Sequence, residues 1–205
     1  MINTNNLVEK AIAKALELHQ GQTRKGDGEK PYIVHPLEVG FIVARYDIRE
    51  DLLAAAILHD TVEDCGYLLE ELEKEFGTRV KDLVAALSED KSIKDWAERK
   101  AENLIRLAEN QDAYYIKSAD ALANMQSLIA AIGEEGSSVW NRFNATKLQK
   151  MGYFRVILDN TEQFLPRKHI EDYVSALKDL EYSDLLTTNN PLGFVVTGSQ
   201  KSEEH

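Results

Sequence analysis

The stretch LLAAAILHDTVEDC, residues 52–65, joins an apolar run to a dense block of ionisable side chains. If the whole segment is helical, His59 and Glu63 share a face, because residues four apart are neighbours on a helix surface. Asp60 and Asp64 share the adjacent face for the same reason. Since LLAAAIL predicts burial, these polar groups lie at the end of a buried helix and need partners. We therefore expect a helical core with a polar site at this point.

Apolar residues recur at helical spacing along nearly the whole chain, which predicts an all-α helical bundle in a single domain. The Gly-rich segment GQTRKGDGEKPYIV before Pro36 predicts a loop, and the only β-branched run outside a helical context is FVV near the C-terminus. The domain is expected to cover residues 1–182, followed by a flexible tail over 183–205. The predicted helices span about 4–20, 36–45, 50–64, 94–109, 112–132, 138–163 and 168–180, with two shorter ones separated near Gly77.

Composition limits the classes of function. A chain of 205 residues with a formal net charge of -11 is unsuited to nucleic-acid binding as its main role, because the phosphate backbone favours a basic face. The single cysteine, Cys65, excludes an intrachain disulfide framework and fits a reducing compartment, so we expect a cytoplasmic protein. No apolar stretch reaches membrane-spanning length, so no membrane partner is expected. Exposed apolar helix faces could support a homodimer.

Four residues from three predicted helices have the side chains of a metal site. His35 precedes Pro36 at a helix start, where the proline favours an extended backbone. His59 and Asp60 are adjacent in the third helix, and Asp120 lies in an otherwise apolar stretch, where a carboxylate is costly without a cation. Two imidazoles and two carboxylates suit Mn²⁺, Fe²⁺, Zn²⁺ or Mg²⁺.

Beside this predicted metal site the chain offers groups for phosphoester hydrolysis. Glu63 and Asp64 could orient a water molecule and accept its proton, although a solvated helix end is the simpler interpretation. Candidate substrate-binding residues are Arg24, Lys25, Lys117 and Asn124. A plain charged loop remains the alternative for the first two, and a lysine that reaches to solvent for the third. His19 is interpreted as a loop-bracing residue, and His169 and His205 as surface residues.

Four segments together resemble the hydrolase domain of RelA/SpoT homologues, a branch of the HD superfamily. They are HQGQTRKGDGEKPYIVHPLEV, AAILHDTVEDC, FGTRVKDLVAALSE and KSADALANM, and the match covers roughly residues 5–165. The resemblance implies an HD-domain helical bundle without the synthetase domain, as in a stand-alone small alarmone hydrolase. The implied reaction is removal of the 3′-pyrophosphate from ppGpp or pppGpp, giving GDP or GTP and pyrophosphate.

The resemblance also implies a role for each candidate. The metal ligands are His35, His59, Asp60 and Asp120, with Mn²⁺ the typical ion, and Glu63 and Asp64 activate water. Arg24 and Lys25 hold the nucleotide, with Arg24 a candidate for stacking on the base, while Asn124 and Lys117 lie in the segment around the last ligand. The chain departs from the family pattern at Ala121, where Arg is usual; at this position a side chain is expected to point away from the metal.

Two alternatives therefore stay open. The same metal and carboxylates could act on an adenosine analogue such as ppApp, or on the ribose phosphate of NADPH. The domain could also be a nucleotide-sensing module without hydrolytic activity, which the change at Ala121 and the acidic tail would favour.

Overall fold

The computed structural model describes residues 6–24 and 27–187, and within these ranges it confirms the predicted all-α fold. No helix in the described ranges is both long and apolar enough to cross a membrane. The helices are α1 (Leu7–Leu18), α2 (Val34–Ala44), α3 (Glu50–Leu58), α4 (Thr61–Cys65), α5 (Leu69–Phe76), α6 (Thr78–Leu87), α7 (Trp96–Leu107), α8 (Gln111–Glu135), α9 (Lys147–Thr161) and α10 (Arg167–Thr187), with a 3-10 helix, Gly136–Arg142, between α8 and α9.

Helix α8 is the centre of the bundle. It packs against α2, α3, α6, α7, α9 and α10, and its Ile116, Leu122 and Met125 side chains are fully buried. The chain surrounds α8 with partners, so even its polar residues near Asp120 lie inside the protein. This packing explains how a carboxylate in the sequence of α8 can belong to an internal site.

Helices α2 and α3 approach each other closely. A Cβ atom added at Gly40 of α2 would lie 2.9 Å from Cγ1 of Ile57 in α3, which is closer than van der Waals contact. The alanines of the AAA run in α3 are fully buried and let α1, α2 and α6 pack against it. The small residues thereby bring the start of α2, which carries His35, next to the end of α3.

The predicted continuous helix over 50–64 is wrong, because α3 ends at Leu58 and α4 begins at Thr61. The Nδ1 of His59 lies 2.8 Å from the Ala56 carbonyl oxygen, and the Thr61 hydroxyl donates to the Leu58 carbonyl at 2.6 Å. These side chains take carbonyls that a continuing helix would use, and such competition favours an interruption. Gly66 at φ 69° then ends α4 in the left-handed region.

The Gly-rich segment forms an antiparallel hairpin where the sequence predicted a loop. Its strands are β1 (Thr23–Arg24) and β2 (Asp27–Pro31). The FVV run lies outside the described residues. Helix α2 begins at Val34, so His35 is helical where an extended backbone was predicted.

The single long helix predicted over 138–163 is also wrong. A 3-10 helix ends at Arg142, and Thr146 starts α9 with a capping box in which its hydroxyl accepts from the Gln149 amide. Helix α10 continues to Thr187, beyond the predicted end at 180. Most of the predicted tail lies outside the described residues, so the domain boundary stays a prediction.

Candidate metal centre and active site

The four predicted metal ligands converge at one end of the bundle. The Nε2 of His35 lies 3.2 Å from Oδ1 of Asp120 and 3.8 Å from Oδ2 of Asp60. The Nε2 of His59 lies 3.1 Å from Oδ1 of Asp60. Ligand atoms of His35, His59 and Asp120 all lie within 4.8 Å of one another. Residues from α2, the α3–α4 junction and α8 thus form one compact group.

The chemistry of this group fits a divalent ion. His59 is buried, and its Nδ1 lies 2.8 Å from the Ala56 carbonyl, so that nitrogen carries a hydrogen and Nε2 is the ring atom through which a cation could bind. The Nε2 atom is buried without a hydrogen-bond partner among the described residues. A buried acceptor that faces two carboxylates is suited to a cation, and the mixed nitrogen and oxygen donors match the preferences of Mn²⁺, Fe²⁺ and Zn²⁺.

Paired charges keep the group ionised. Burial lowers the pKa of His59, but the Asp60 carboxylate and then Asp120 raise it overall to about 9 when no cation is bound, so a metal ion at Nε2 would take the place of a proton. Burial favours the neutral form of Asp120, yet the Lys117 ammonium holds its pKa well below the usual range. The Nζ of Lys117 lies 3.1 Å from Oδ2 of Asp120. The site therefore concentrates negative charge in a buried place, as a cation site requires.

Lys117 occupies a different place from the one that the substrate-binding prediction gave it. Its side chain is buried, and its ammonium nitrogen lies 3.1 Å from Asp120 and 4.0 Å from Glu89. The alternative of a lysine that reaches to solvent is wrong for the same reason. Lys117 acts in the structure as the partner of a metal-ligand candidate.

Tyr32 is part of the site, although it is not among the site residues predicted from the sequence. Its hydroxyl donates to Oδ2 of Asp60 at 2.6 Å and lies 3.2 Å from Oδ2 of Asp64. Burial, and then the charge of Asp60, raise the pKa of Tyr32, which therefore stays protonated. It follows that the phenol links the metal-ligand group to the predicted catalytic pair. Its position three residues before His35 is the signal that could have found it.

The two acidic residues of the predicted catalytic pair have different surroundings. Glu63 is half-buried, and its Oε2 accepts a hydrogen bond from the Glu89 amide at 3.1 Å. Burial, followed by the nearby carboxylates, raises the pKa of Glu63. Asp64 is exposed, lines a cavity, and pairs with Lys91 at 2.9 Å. Glu63 thus has the environment of a proton acceptor, whereas Asp64 is an exposed carboxylate paired with a lysine.

A cavity of about 690 Å³ opens from Asp120 and Asp64 toward the β-hairpin and α9. A guanidinium nitrogen of Arg24 donates to Ser127 at 3.1 Å and to Asn124 at 3.4 Å. Asn124 also donates to Asp120 at 2.5 Å. The structure therefore brings Arg24 and Asn124 to the same wall, and the volume is that of a small-molecule site. Lys25 lies outside the described residues.

Three other predicted positions can be compared with the structure. Ala121 lines the cavity, and the expectation that a side chain at this position points away from the metal stays a prediction. His19 is consistent with loop bracing, because its Nδ1 lies 2.9 Å from Gln22 and its ring packs on Tyr32. His169 is fully buried, so its interpretation as a surface residue is wrong. The residue belongs to α10, which packs on α8 and brings the His169 ring against Ser118. His205 lies outside the described residues.

Comparison with known proteins identifies this arrangement. The family model described as HD domain matches residues 11–150. The chain belongs to the HD-domain family. The HD domain is 42% identical over 120 residues to a guanosine-3′,5′-bis(diphosphate) 3′-pyrophosphohydrolase of Vibrio cholerae, covering 56% of this chain and 17% of that protein. It is 36% identical over 124 residues to the guanosine-3′,5′-bis(diphosphate) 3′-pyrophosphohydrolase MESH1 of Xenopus tropicalis, covering 60% of this chain and 69% of that protein.

Two solved structures are similar to this HD domain. One, described as a metazoan ortholog of SpoT that hydrolyzes ppGpp and plays a role in starvation responses, has a TM-score of 0.69 at 28% identity, covering 84% of this chain and 94% of that one. The other, lmo0812 from Listeria monocytogenes, has a TM-score of 0.63 at 33% identity, covering 70% of this chain and 96% of that one. The resemblance to RelA/SpoT hydrolase domains is confirmed, although the chain spans about a sixth of the length of the long bacterial relatives it matches.

Proposed function

We propose that this protein is a metal-dependent hydrolase that removes the 3′-pyrophosphate from ppGpp or pppGpp, giving GDP or GTP and pyrophosphate. The observation that carries the proposal is the convergence of His35, His59, Asp60 and Asp120 at one end of a nucleotide-sized cavity. The names of relatives that match over the same residues support the substrate class.

We assign Mn²⁺ to the centre, with Fe²⁺, Zn²⁺ and Mg²⁺ as ions that the same donors would accept. His35, His59, Asp60 and Asp120 would hold this ion, which would supply Lewis-acid polarisation of a phosphoryl oxygen and a lowered pKa of water. Tyr32 and Lys117 orient the oxygens of Asp60 and Asp120, respectively, through their hydrogen bonds. Partners of this kind fix the ligand geometry and hold the carboxylates ionised.

The catalytic pair divides the work of proton transfer. A water oxygen attacks the phosphorus attached to the ribose 3′-oxygen, and the bond between that phosphorus and the 3′-oxygen breaks. Glu63, whose pKa burial raises, accepts the proton that the water loses. Asp64, held by Lys91 and Tyr32, orients the water. The ribose 3′-oxygen leaves and takes a proton from bulk water, Glu63 returns its proton to the solvent, and pyrophosphate is released intact.

The opposite wall of the cavity binds the nucleotide. Arg24 presents a planar guanidinium that Ser127 and Asn124 hold in place, a geometry suited to stacking on a base or to binding phosphate. Lys25, the next residue in the sequence, is proposed as a second contact. Lys117 acts on the substrate only through Asp120, because its contacts lie on the metal side.

A second candidate substrate is the adenosine analogue ppApp, or the phosphate on the ribose of NADPH. The observation in its favour is that Arg24 lines the cavity. A base stacked on its guanidinium could be guanine or adenine, because stacking does not distinguish them. Ala121 lies on the cavity wall at the position where Arg is usual in the family. The chain therefore lacks at this position a positive charge that could discriminate between guanosine and adenosine substrates.

The test is product analysis with purified protein, Mn²⁺ and each of ppGpp, ppApp and NADPH, by ion-exchange chromatography and phosphorus NMR. We expect GDP and intact pyrophosphate from ppGpp, with loss of activity in EDTA and in Asp60→Asn. Asp82→Asn is the matched control, because the Asp82 side chain is exposed on α6, and this variant should retain activity. Orthophosphate as the only product would reject the reaction, and equal rates on ppGpp and ppApp would reject guanosine specificity.

The sensing module without catalysis is tested by Glu63→Gln. If the protein hydrolyses ppGpp, this variant loses turnover while nucleotide affinity, measured by calorimetry, persists. A wild-type protein that binds ppGpp with no turnover in any of the four metals would favour the sensor. The cytoplasmic location and the homodimer expected from the sequence stay predictions.

A further inference from the structure

The loop between α6 and α7, residues 88–95, lies against the short helix that carries the catalytic pair. Lys91 is the contact. Its Nζ donates to the Glu63 carbonyl oxygen at 2.7 Å and to Oδ1 of Asp64 at 2.9 Å, and lies 3.7 Å from Oε1 of Glu63. One ammonium group thus contacts both members of the pair and the last turn of α4, where cations are favourable.

The same loop holds Glu63 from a second side through the Glu89 amide, 3.1 Å from Oε2. The Glu89 carboxylate is almost fully buried and is paired with Arg99 and Lys100 of α7. Burial opposes its charge, but Lys100 and then Lys117 keep the pKa of Glu89 below its usual value. The amide that contacts Glu63 is therefore attached to a fixed residue.

Helix α7 secures the rest of the loop. The Arg99 guanidinium donates to the Ile93 carbonyl at 2.8 Å, and Arg106 donates to the Ser88 carbonyl at 2.7 Å. Both ends of the loop are thus tied to one rigid helix. A lysine on such a loop has a defined origin, and its ammonium can define the position of what it binds.

We propose that Lys91 is a positioning residue for phosphoester hydrolysis, fixing the Asp64 carboxylate beside the metal group from the side opposite Tyr32. This inference rests on the proposed function and deepens it. Lys91 holds Oδ1 and Tyr32 holds Oδ2, so the plane of the carboxylate is set by two contacts. Without Lys91, the Asp64 carboxylate would keep, among the described residues, only the contact with Tyr32, so it would rotate more freely and its repulsion from Glu63 would be uncompensated.

The kinetic consequence follows from where Lys91 lies. Among the described residues that line the cavity Lys91 is absent, whereas Asp64 is present. Removing Lys91 should therefore leave substrate binding intact and reduce the chemical step. A displacement of a catalytic group by about 1 Å can cost on the order of 100-fold in rate, so we expect kcat to fall about 10- to 100-fold at a nearly constant KM.

The experiment compares Lys91→Met, Lys91→Arg and the matched control Lys81→Met, which removes a lysine that pairs with α5 and α6 residues away from the site. Pyrophosphate release from ppGpp with Mn²⁺ gives kcat and KM. We expect a kcat loss for Lys91→Met, partial rescue by Lys91→Arg, and wild-type values for Lys81→Met. Equal kinetics for Lys91→Met and Lys81→Met would overturn the proposal. A raised KM with unchanged kcat would overturn it too, because that identifies a substrate contact.

Crystal structures of the wild-type protein and Lys91→Met separate this proposal from the proposed function. We expect the Asp64 carboxylate to rotate away from its wild-type orientation in Lys91→Met. An unchanged Asp64 would overturn the positioning role, whatever the activity. A rotated Asp64 in a protein whose wild-type form releases no pyrophosphate would reject the hydrolase and retain the positioning contact.

Discussion

We expect His169 to make the unfolding free energy of this protein fall in mild acid. Its ring is fully buried between α8 and α10, with Nε2 2.9 Å from the Ser118 hydroxyl and the Tyr115 ring in edge contact at 5.3 Å. The Nδ1 atom is buried with no partner among the described residues. A protonated ring would therefore bury an N–H group without an acceptor, in addition to a charge.

The magnitude follows from the pKa difference between the folded and unfolded states. Burial lowers the pKa of His169 from 6.5 to about 4, against a smaller opposing effect of Asp172. As the pH falls, the unfolded chain binds this proton first, so stability is present in full above the unfolded pKa and is lost toward the folded one. At about 1.4 kcal/mol per unit of pKa, the full loss is about 3 kcal/mol, and about 2.5 kcal/mol is lost by about pH 4.5.

The assay is urea unfolding followed by circular dichroism, at intervals from neutral pH to about pH 4.5, on metal-free wild-type protein and His169→Gln. Glutamine keeps a polar group near Ser118 and does not titrate. Other titrating groups act equally in both proteins, so the difference in unfolding free energy isolates His169. We expect the unfolding free energy of the wild type to fall relative to that of His169→Gln as the pH decreases. A difference that is constant across this range would refute a buried, neutral His169.

Three further predictions follow. Arg24→Ala should raise KM for ppGpp about 10-fold with little change in kcat, and Arg24→Lys should not restore it, since lysine lacks the planar guanidinium; steady-state kinetics test both. Gly40→Ala should be less stable than the matched Gly152→Ala by about 1–3 kcal/mol. Of these two glycines, Gly40 alone would place its new Cβ within 4 Å of a neighbour, Ile57, and urea unfolding measures the difference in unfolding free energy. Mn²⁺ at about 100 times its dissociation constant should stabilise the wild type by about 2.7 kcal/mol, and Asp120→Asn should abolish this gain in a thermal-shift assay.

The sequence was sufficient to predict the fold class and the four metal-ligand candidates that meet at the site. Ligand-type residues were recognisable because each is costly to bury alone: His59 follows a buried alanine run, and Asp120 lies in an apolar stretch. Their convergence depends on the close approach of α2 and α3 at Gly40, a contact between elements that helical periodicity does not contain.

Features set by local competition or by tertiary contacts were not predictable in the same way. The break between α3 and α4 depends on side-chain hydrogen bonds from His59 and Thr61, which outweigh the helical pattern of the segment. Tyr32 was missed because its importance lies in a contact with Asp60, 28 residues away in the chain. His169 was misjudged because a short polar helix start gave no sign that α10 buries it against α8.

The most direct measurement of the central claim is anomalous diffraction at the manganese edge, from crystals of this protein grown with Mn²⁺. The account predicts one strong peak in coordination contact with His35, His59, Asp60 and Asp120. A peak at another place, or none at this group in crystals whose protein hydrolyses ppGpp, would contradict it.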